Sequence, residues 1–368
     1  MKRNLPMRVA IVAPHFQELA LRQANAVGAH ADVLLMIDTV RLRSEYEDRP
    51  MPKSANVRIS PLSFVSLLDP FRAIWRLLRY QPDTIMVHEP SGQLRALICA
   101  FIVVSLRWRS RVALTVHDPA PHEGRDADAV KRIGFLRPLI RAMAHVVVVH
   151  GEYCHQAYLR FRRIPGQTVV TTYHGVLLVD GVQSARASQE GPLKVLAFGR
   201  MEAYKGLEIL CAAAEKLFER DAPVKFTIIG GGPELDRLQD RLQKLPNVTV
   251  ENGYASAARL IRALADTHCV VAPYLSATQS GVVPAAFGNG RFVIGSRVGG
   301  LPDIVEDGVS GLLVTPGDVD ALADAIEHAA RDPDLRRRLT AGAATAARNL
   351  LDWDRLVTNM WLPVFATT

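Results

Sequence analysis

Two cations five positions apart stand where an apolar run gives way to a helical pattern, in Phe198-Gly199-Arg200-Met201-Glu202-Ala203-Tyr204-Lys205-Gly206. Gly199 lets the backbone turn closely, and Arg200 and Lys205 flank the turn. Fixed cations beside a helix N-terminus suit a diphosphate, although a plain strand–helix loop with surface charges would read the same way. A second segment, Pro273 to Gly290, sets Thr278, Gln279, Ser280 and Gly281 between a strand-like run and a helical one. Their amides and hydroxyls suit phosphate oxygens, or else they only cap the helix. A third, Gly230-Gly231-Gly232-Pro233, follows another apolar run. Glycines there permit close approach of a ligand, and Pro233 suits a first helical turn. The run is not G-x-G-x-x-G, so the dinucleotide fingerprint is absent and a dehydrogenase is disfavoured.

In the first half, Val87-His88-Glu89-Pro90 and Thr115-Val116-His117-Asp118-Pro119 each close an apolar run with His-acid-Pro. Proline stops a strand. His88, Glu89, His117 and Asp118 are therefore expected at the carboxyl edge of a sheet, facing a cleft. A histidine there can donate to a sugar hydroxyl or phosphate, or accept a proton; a strand-end histidine satisfied by backbone is the alternative. His122, His145, His150 and His174 read as structural. No H-E-x-x-H and no Cys/His cluster is visible along the chain, so no metal is expected. Cys99, Cys154, Cys211 and Cys269 lie far apart without a C-x-x-C pair, which argues against a disulfide framework and fits a reducing compartment.

The elements that must position these residues alternate. Apolar Val/Ile-rich runs at 8–13, 33–37, 84–87, 112–116, 146–149 and 168–171 predict strands buried on both faces of a parallel sheet. Helical patterns fall near 17–28, 69–80, 92–106, 129–143 and 151–162. The stretch 175–192 lacks periodicity and reads as a linker. The alternation then restarts, with strands at 194–198, 225–229, 248–250, 269–272, 292–294 and 311–314. Helices are expected at 206–220, 233–243, 255–266, after Ser280, and at 318–330. Two doubly wound α/β domains are the natural solution for 368 residues. Ligands in such sheets sit outside the carboxyl ends of the strands, so the cleft between the domains is the expected site.

Composition bounds the rest. At 49% hydrophobic and 22% charged, the chain is neither disordered nor collagen-like. The formal net charge is +7. Residues 1–190 hold 25 Lys+Arg against 16 Asp+Glu, whereas 191–368 hold 19 against 21. All the excess positive charge lies in the first half, which suggests an anionic partner there. Arg72, Arg76 and Arg79 fall on one side of the predicted helix at 69–80, with Phe71, Ile74, Trp75 and Leu78 on the other. Arg95, Arg107, Arg109 and Arg111 flank a second apolar helix. Lys131, Arg132, Arg137 and Arg141 interleave with Phe135, Leu136, Leu139 and Ile140 in a third. Such helices suit an anionic membrane surface, or simply pack on a core with arginines outward. The basic start followed by a strand-like run does not read as a secretion signal. The apolar run 96–106 is about half of what a bilayer core requires. No helix-turn-helix, RRM or zinc-finger signature points to nucleic acid.

Together these segments resemble the large retaining glycosyltransferase family 4, of the GT-B fold. Phe198-Gly199-Arg200 with Lys205-Gly206 looks like that family's donor-diphosphate segment. Gly299-Gly300-Leu301-Pro302-Asp303 and the following Asp307-Gly308-Val309-Ser310-Gly311 are similar to its signature after the donor site. Trp353-Asp354-Arg355-Leu356 resembles its closing helix, which crosses back to the first domain. The resemblance covers nearly all of 193–360. In 1–190 it rests on His88-Glu89-Pro90, Thr115 to Pro119 and His150-Gly151-Glu152. The places of two family glutamates hold Ala277 and Ala285, so no glutamate is carried over. Ala277-Thr278-Gln279-Ser280-Gly281 resembles a branch common among bacterial polysaccharide enzymes. Pro14-His15-Phe16-Gln17 replaces the usual glycine-rich loop after the first strand.

The resemblance implies two Rossmann-like parallel-sheet domains facing across a cleft: 1–175, a linker 176–192, 193–350, and a helix 351–368 crossing back. It implies a metal-independent, retaining glycosyltransferase of cell-surface (exopolysaccharide) polysaccharide biosynthesis. The donor is a UDP- or GDP-linked sugar, the acceptor a saccharide carried on polyprenyl diphosphate, and no cofactor beyond the donor is implied. The expected place is the cytoplasm, peripherally at the inner face of the cell membrane. His117, Asp118, Arg200 and Lys205 are the implied catalytic residues. Gly199, Arg200, Lys205, Gly231, Thr278, Gln279, Ser280 and Gly281 are the implied donor contacts. A nucleotide-sugar 2-epimerase of the same fold and a non-catalytic glycosyltransferase-like binding protein remain the alternatives.

Overall fold

The computed structural model of the chain describes residues 7–46, 54–119, 134–161, 164–179 and 191–366. It divides into two compact units: residues up to Gly175 together with those from Trp353 on, and Val176–Asp352. In the first unit the strands are β1 Arg8–Ala13, β2 Asp32–Ile37, β3 Val57–Pro61, β4 Thr84–His88, β5 Arg111–Val116, β6 Val146–His150 and β7 Thr168–Thr172. They form one parallel sheet in the order β3-β2-β1-β4-β5-β6-β7. The helices are α1 Gln17–Val27, α2 Thr39–Tyr46, α3 Asp69–Tyr80, α4 Gln93–Leu106, α5 Leu136–Met143 and α6 Gly151–Phe161. The sequence reading did not predict β3. It is an edge strand with one buried residue, so it lacks a continuous apolar run, and Pro61 is tolerated where no further strand pairs.

Alternation of side chains across the sheet builds two cores. Val9, Ile11, Val33, Leu35, Met86 and Val148 face α1 and the returning C-terminal segment, where Leu356, Val357 and Trp361 are buried. Ala10, Val12, Ile85, Val87, Leu114 and Val149 face the side covered by α3 and α4. The C-terminal segment runs Trp353–Leu356, a π-helical stretch Val357–Trp361, and Leu362–Ala366. Trp353 lies against Gly175, where a Cβ would come within 2.2 Å of the indole.

The orientation of α3 departs from a core-packed amphipathic helix. Its buried residues are Asp69, Pro70, Ala73, Leu77 and Tyr80. Phe71, Trp75 and Leu78, apolar by type, point to solvent. The third basic stretch departs in the opposite sense. Lys131 and Arg132 lie outside the described residues, while Arg137 and Arg141 are buried rather than surface cations. Among the described residues no helix is long and apolar enough to cross a membrane.

The second unit repeats the plan with β8 Leu193–Phe198, β9 Val224–Gly230, β10 Val248–Asn252, β11 Cys269–Ala272, β12 Phe292–Ser296 and β13 Gly311–Val314. These are all parallel, in the order β10-β9-β8-β11-β12-β13. Between and after them come α7 Leu207–Glu219, α8 Pro233–Gln243, α9 Ala257–Ala265, α10 Val282–Gly288, α11 Val319–Arg331 and α12 Pro333–Leu350. Each sheet reverses direction of growth once, beside β1 in the first unit and beside β8 in the second. Those reversals mark the two ligand crevices expected of doubly wound sheets.

Candidate functional site

In the second unit the crevice lies between the carboxyl ends of β8 and β11. The segment from Gly199 to Gly206 leaves β8, and that from Pro273 to Gly281 leaves β11. They press together at Gly206, whose φ is 69°. A Cβ there would sit 1.9 Å from the Pro273 carbonyl oxygen, so only glycine fits this left-handed turn. The Leu275 amide donates to the Tyr204 carbonyl at 2.8 Å. The result carries Lys205 onto Tyr274, with Nζ 3.9 Å from the ring centroid. This is a cation–π contact on a buried ring. The Tyr274 hydroxyl is 3.3 Å from Ser280 Oγ. Tyr274 therefore ties together two segments that the sequence reading treated separately, and that reading passed it over. The available signal was an aromatic residue directly after a strand and its proline.

Ser280 is partly occupied, because its Oγ accepts the Val282 amide two residues on at 3.2 Å, a local turn just before the helix. Thr278 is buried, and its carbonyl accepts the Gly300 amide at 2.9 Å. Gln279 Oε1 is buried without a hydrogen-bond partner. Gly281 is exposed. Ala277 and Ala285 are both buried. Gly199, Arg200 and Gly231 share a neighbouring cavity of about 380 Å³ with Gly230, Gly253 and Tyr254. Arg200 is exposed at its wall. Lys205 and Thr278 to Gly281 are not among the residues lining that cavity. The eight expected donor contacts thus fall into two groups around one switch point, Arg200 with the glycines and Lys205 with Tyr274 and Ser280.

In the first unit the strand ends assemble five histidines. His15 follows β1, His88 ends β4, His117 follows β5, His150 ends β6 and His174 follows β7. His117 Nε2 lies 3.3 Å from His88 Nδ1, and His88 Nε2 lies 2.9 Å from Gln23 Oε1. The Gln23 oxygen can only accept, so His88 Nε2 carries the proton and its Nδ1 accepts from His117 Nε2–H. That leaves His117 Nδ1 as a bare acceptor, buried and without a protein partner. Phe16, at φ 58°, packs on His117 with ring centroids 4.5 Å apart. A phenylalanine thus occupies the left-handed conformation where a glycine would be at ease.

His150 and His174 were expected to be structural, and no Cys/His cluster was visible by spacing. The fold nevertheless brings ring nitrogens of His117, His150 and His174 within 4.8 Å of one another. Among the described residues these three are the ones that could hold a metal. Their rings are stacked, His117 on His174 at 5° and His150 on His174 at 21°. Lone pairs lie in the ring planes, so nearly parallel planes do not converge on one ion. As arranged, the cluster offers neutral acceptors rather than a coordination site.

Burial keeps His15, His88, His117 and His150 neutral. It lowers His88 to about 3 and His15 to about 4, the nearby Arg95 adding to the effect on His15. Burial and the mutual proximity of the histidines lower His117 and His150 well below the ordinary value. A group that stays neutral in the folded state but protonates near pH 6.5 when unfolded leaves stability intact above that pH. Each such group withdraws about 1.4 kcal/mol per pH unit below it. The melting temperature is therefore expected to be flat from pH 8 to 6.5 and to fall steeply from 6.5 to 4. A flat profile across that lower range would contradict a neutral cluster.

Glu89 does not present a free carboxylate. It is buried between Arg137, at 2.8 Å, and Arg141, whose Nε and Nη2 meet its two oxygens at 2.6 and 2.9 Å. Arg137 also donates to the Asp118 carbonyl, and Arg141 reaches the same oxygen at 3.2 Å. Asp118 is therefore held through its backbone, and this clamp fixes Asp118 and Pro119 directly after His117.

Residues 192–332 match the family model described as "Glycosyl transferases group 1". The chain is 31% identical over 153 residues to an alpha-D-kanosaminyltransferase of Streptomyces kanamyceticus, covering 41% of this chain and 39% of that one. It is 35% identical over 168 residues to a D-inositol 3-phosphate glycosyltransferase of Corynebacterium urealyticum, covering 42% and 39%. The chain thus spans about two fifths of the length of these curated relatives. Among solved structures it is similar to Anabaena HepE in complex with UDP-glucose, with TM-score 0.73, 16% identity and coverage of 98% and 100%. It is also similar to sucrose-phosphate synthase of Thermosynechococcus elongatus, with TM-score 0.71, 19% identity and coverage of 96% of each chain. The fold, two Rossmann-like parallel-sheet units, is shared with these two structures.

Proposed function

We propose that the chain is a retaining, metal-independent glycosyltransferase that moves a sugar from a UDP- or GDP-linked donor to a saccharide acceptor. The observation that carries this reading is Arg200 on a glycine-walled cavity at the carboxyl ends of β8, β9 and β10, beside the switch point of the unit over which the family model matches. The donor diphosphate binds there. Arg200 and Lys205 offset the negative charge that develops on the leaving group, the largest electrostatic contribution available from this chain's own side chains. Tyr274 holds Lys205 in place, and Gln279 with Ser280 supplies polar contacts. Attack is front-side, and the leaving phosphate takes the acceptor's proton. The first unit serves the acceptor side, with His117 Nδ1 accepting a hydrogen bond from a sugar hydroxyl. The acceptor is a saccharide on a polyprenyl diphosphate at the inner face of the cell membrane, and the product enters a cell-surface polysaccharide.

A panel of UDP- and GDP-sugars tests the donor half. One donor at 100 times its Kd adds about 2.7 kcal/mol, read as a melting shift of several degrees. Absence of any shift across both series would reject the reading. Retention is read from the anomeric configuration of the product. Release of a free epimerised sugar nucleotide without acceptor would instead identify a 2-epimerase, and donor binding without turnover would identify a binding protein.

A further inference from the structure

The outer surface of α3 and α4 is apolar where two core-packed helices ordinarily show polar residues. Phe71, Trp75 and Leu78 on α3 are 61%, 63% and 42% exposed, and Leu97, Phe101 and Val104 on α4 are all exposed as well. The Phe71 and Phe101 rings meet edge-on with centroids 5.5 Å apart, so the two rows form one surface. Trp108, just past α4, is 80% exposed. A contiguous exposed patch of this kind marks an interaction site rather than incidental surface.

Its charge selects the partner. Residues 62–111 hold six arginines besides Arg95, which lies toward His15, and three acids. Of the acids, Asp69 and Glu89 are buried, which leaves Asp83 exposed. Arg79 lies over Trp75 at 5.9 Å and Arg107 over Trp108 at 4.5 Å. Tryptophan backed by arginine is the pairing that settles at a lipid–water boundary carrying negative charge.

Beside the patch is a cavity of about 560 Å³, walled by Leu77, Leu106 and Phe365, with Leu78 and Arg109 also in its lining. It lies at the amino ends of β4 and β5, the opposite edge of the sheet from the histidines. Leu78 belongs to both patch and cavity, so the two are continuous.

We propose that this face seats the first unit on an anionic bilayer, and that the cavity takes one acyl chain of an anionic phospholipid whose phosphate meets Arg109. The surface accords with a membrane-held acceptor, but its test uses no sugar nucleotide, so its failure leaves the donor reading untouched. The full chain is sedimented with phosphatidylcholine vesicles with and without 30% phosphatidylglycerol, at about 0.1 M salt where screening is moderate. Binding is expected to the anionic vesicles, with tryptophan fluorescence quenched by brominated lipid. Arg79→Glu and Arg109→Glu are each expected to cut partitioning at least about fivefold, and Trp75→Ser with Trp108→Ser to abolish the quenching. All four sites are exposed, and an unchanged melting temperature verifies folding. For the cavity, short-chain phosphatidylglycerol below its micelle concentration is expected to raise the melting temperature where inorganic phosphate does not. Equal binding to both vesicle types, binding to neither, or self-association that hides the tryptophans without lipid would overturn the surface. A phosphate effect equal to that of the lipid would overturn the chain site.

Discussion

Arg200→Ala is expected to lower kcat by about 10²–10³, the loss seen when one preorganised donor is removed from a developing anion. The side chain is exposed on the wall of its cavity, and substitution of an exposed side chain should leave the melting temperature nearly unchanged. A fall in kcat and kcat/KM together, with KM nearly unchanged, marks an interaction made chiefly in the transition state. Lys205→Ala has a different signature, because its ammonium sits on Tyr274 and its loss also frees the ring that meets Ser280. Tyr274→Phe, which keeps the ring and removes the hydroxyl, separates these two effects. Near-wild-type turnover in Arg200→Ala would remove Arg200 from the reaction and with it the observation on which the donor reading stands.

Much of the fold was legible because fully buried parallel strands announce themselves. β4 and β6 are buried at every position and read as unbroken apolar runs. β3 was not legible, since an edge strand with one buried residue carries too little apolar signal. Proximity was legible where it is local: Gly199, Arg200 and Gly231 do share a cavity. It was illegible where it depends on topology. The five histidines come from five strand ends spread between positions 15 and 174, and only the strand order brings them together. Lys205 could be named as a cation but not as the partner of Tyr274, which lies 69 positions on. The outward turn of Phe71 and Trp75 was hidden for another reason. Helical periodicity says which residues share a face, and not which face meets the sheet.

Topology likewise concealed the pairing of Glu89 with Arg137 and Arg141, and removal of Glu89 should be the most damaging single change to the first unit. Burial alone would raise its pKa, yet Arg141 and Arg137 hold it below the ordinary carboxylate value, so the pair is ionised in the folded state. Glu89→Ala leaves two guanidinium groups buried without their anion, a defect of about 3–5 kcal/mol. Urea unfolding should show the midpoint lowered by that amount divided by the slope, with the slope retained. The cause is the stranded charge rather than the lost attraction, and this has a consequence. Replacing Glu89, Arg137 and Arg141 together by methionine should restore much of the stability, since a buried ionic cluster is often matched by apolar packing. Activity should not return with it. The two arginines also hold the Asp118 carbonyl, and through it the start of the loop, Asp118-Pro119, that leaves His117. A variant as stable as the natural chain but slow in turnover would separate the clamp's part in folding from its part in aiming that loop; full activity in the triple variant would reduce the cluster to a structural element.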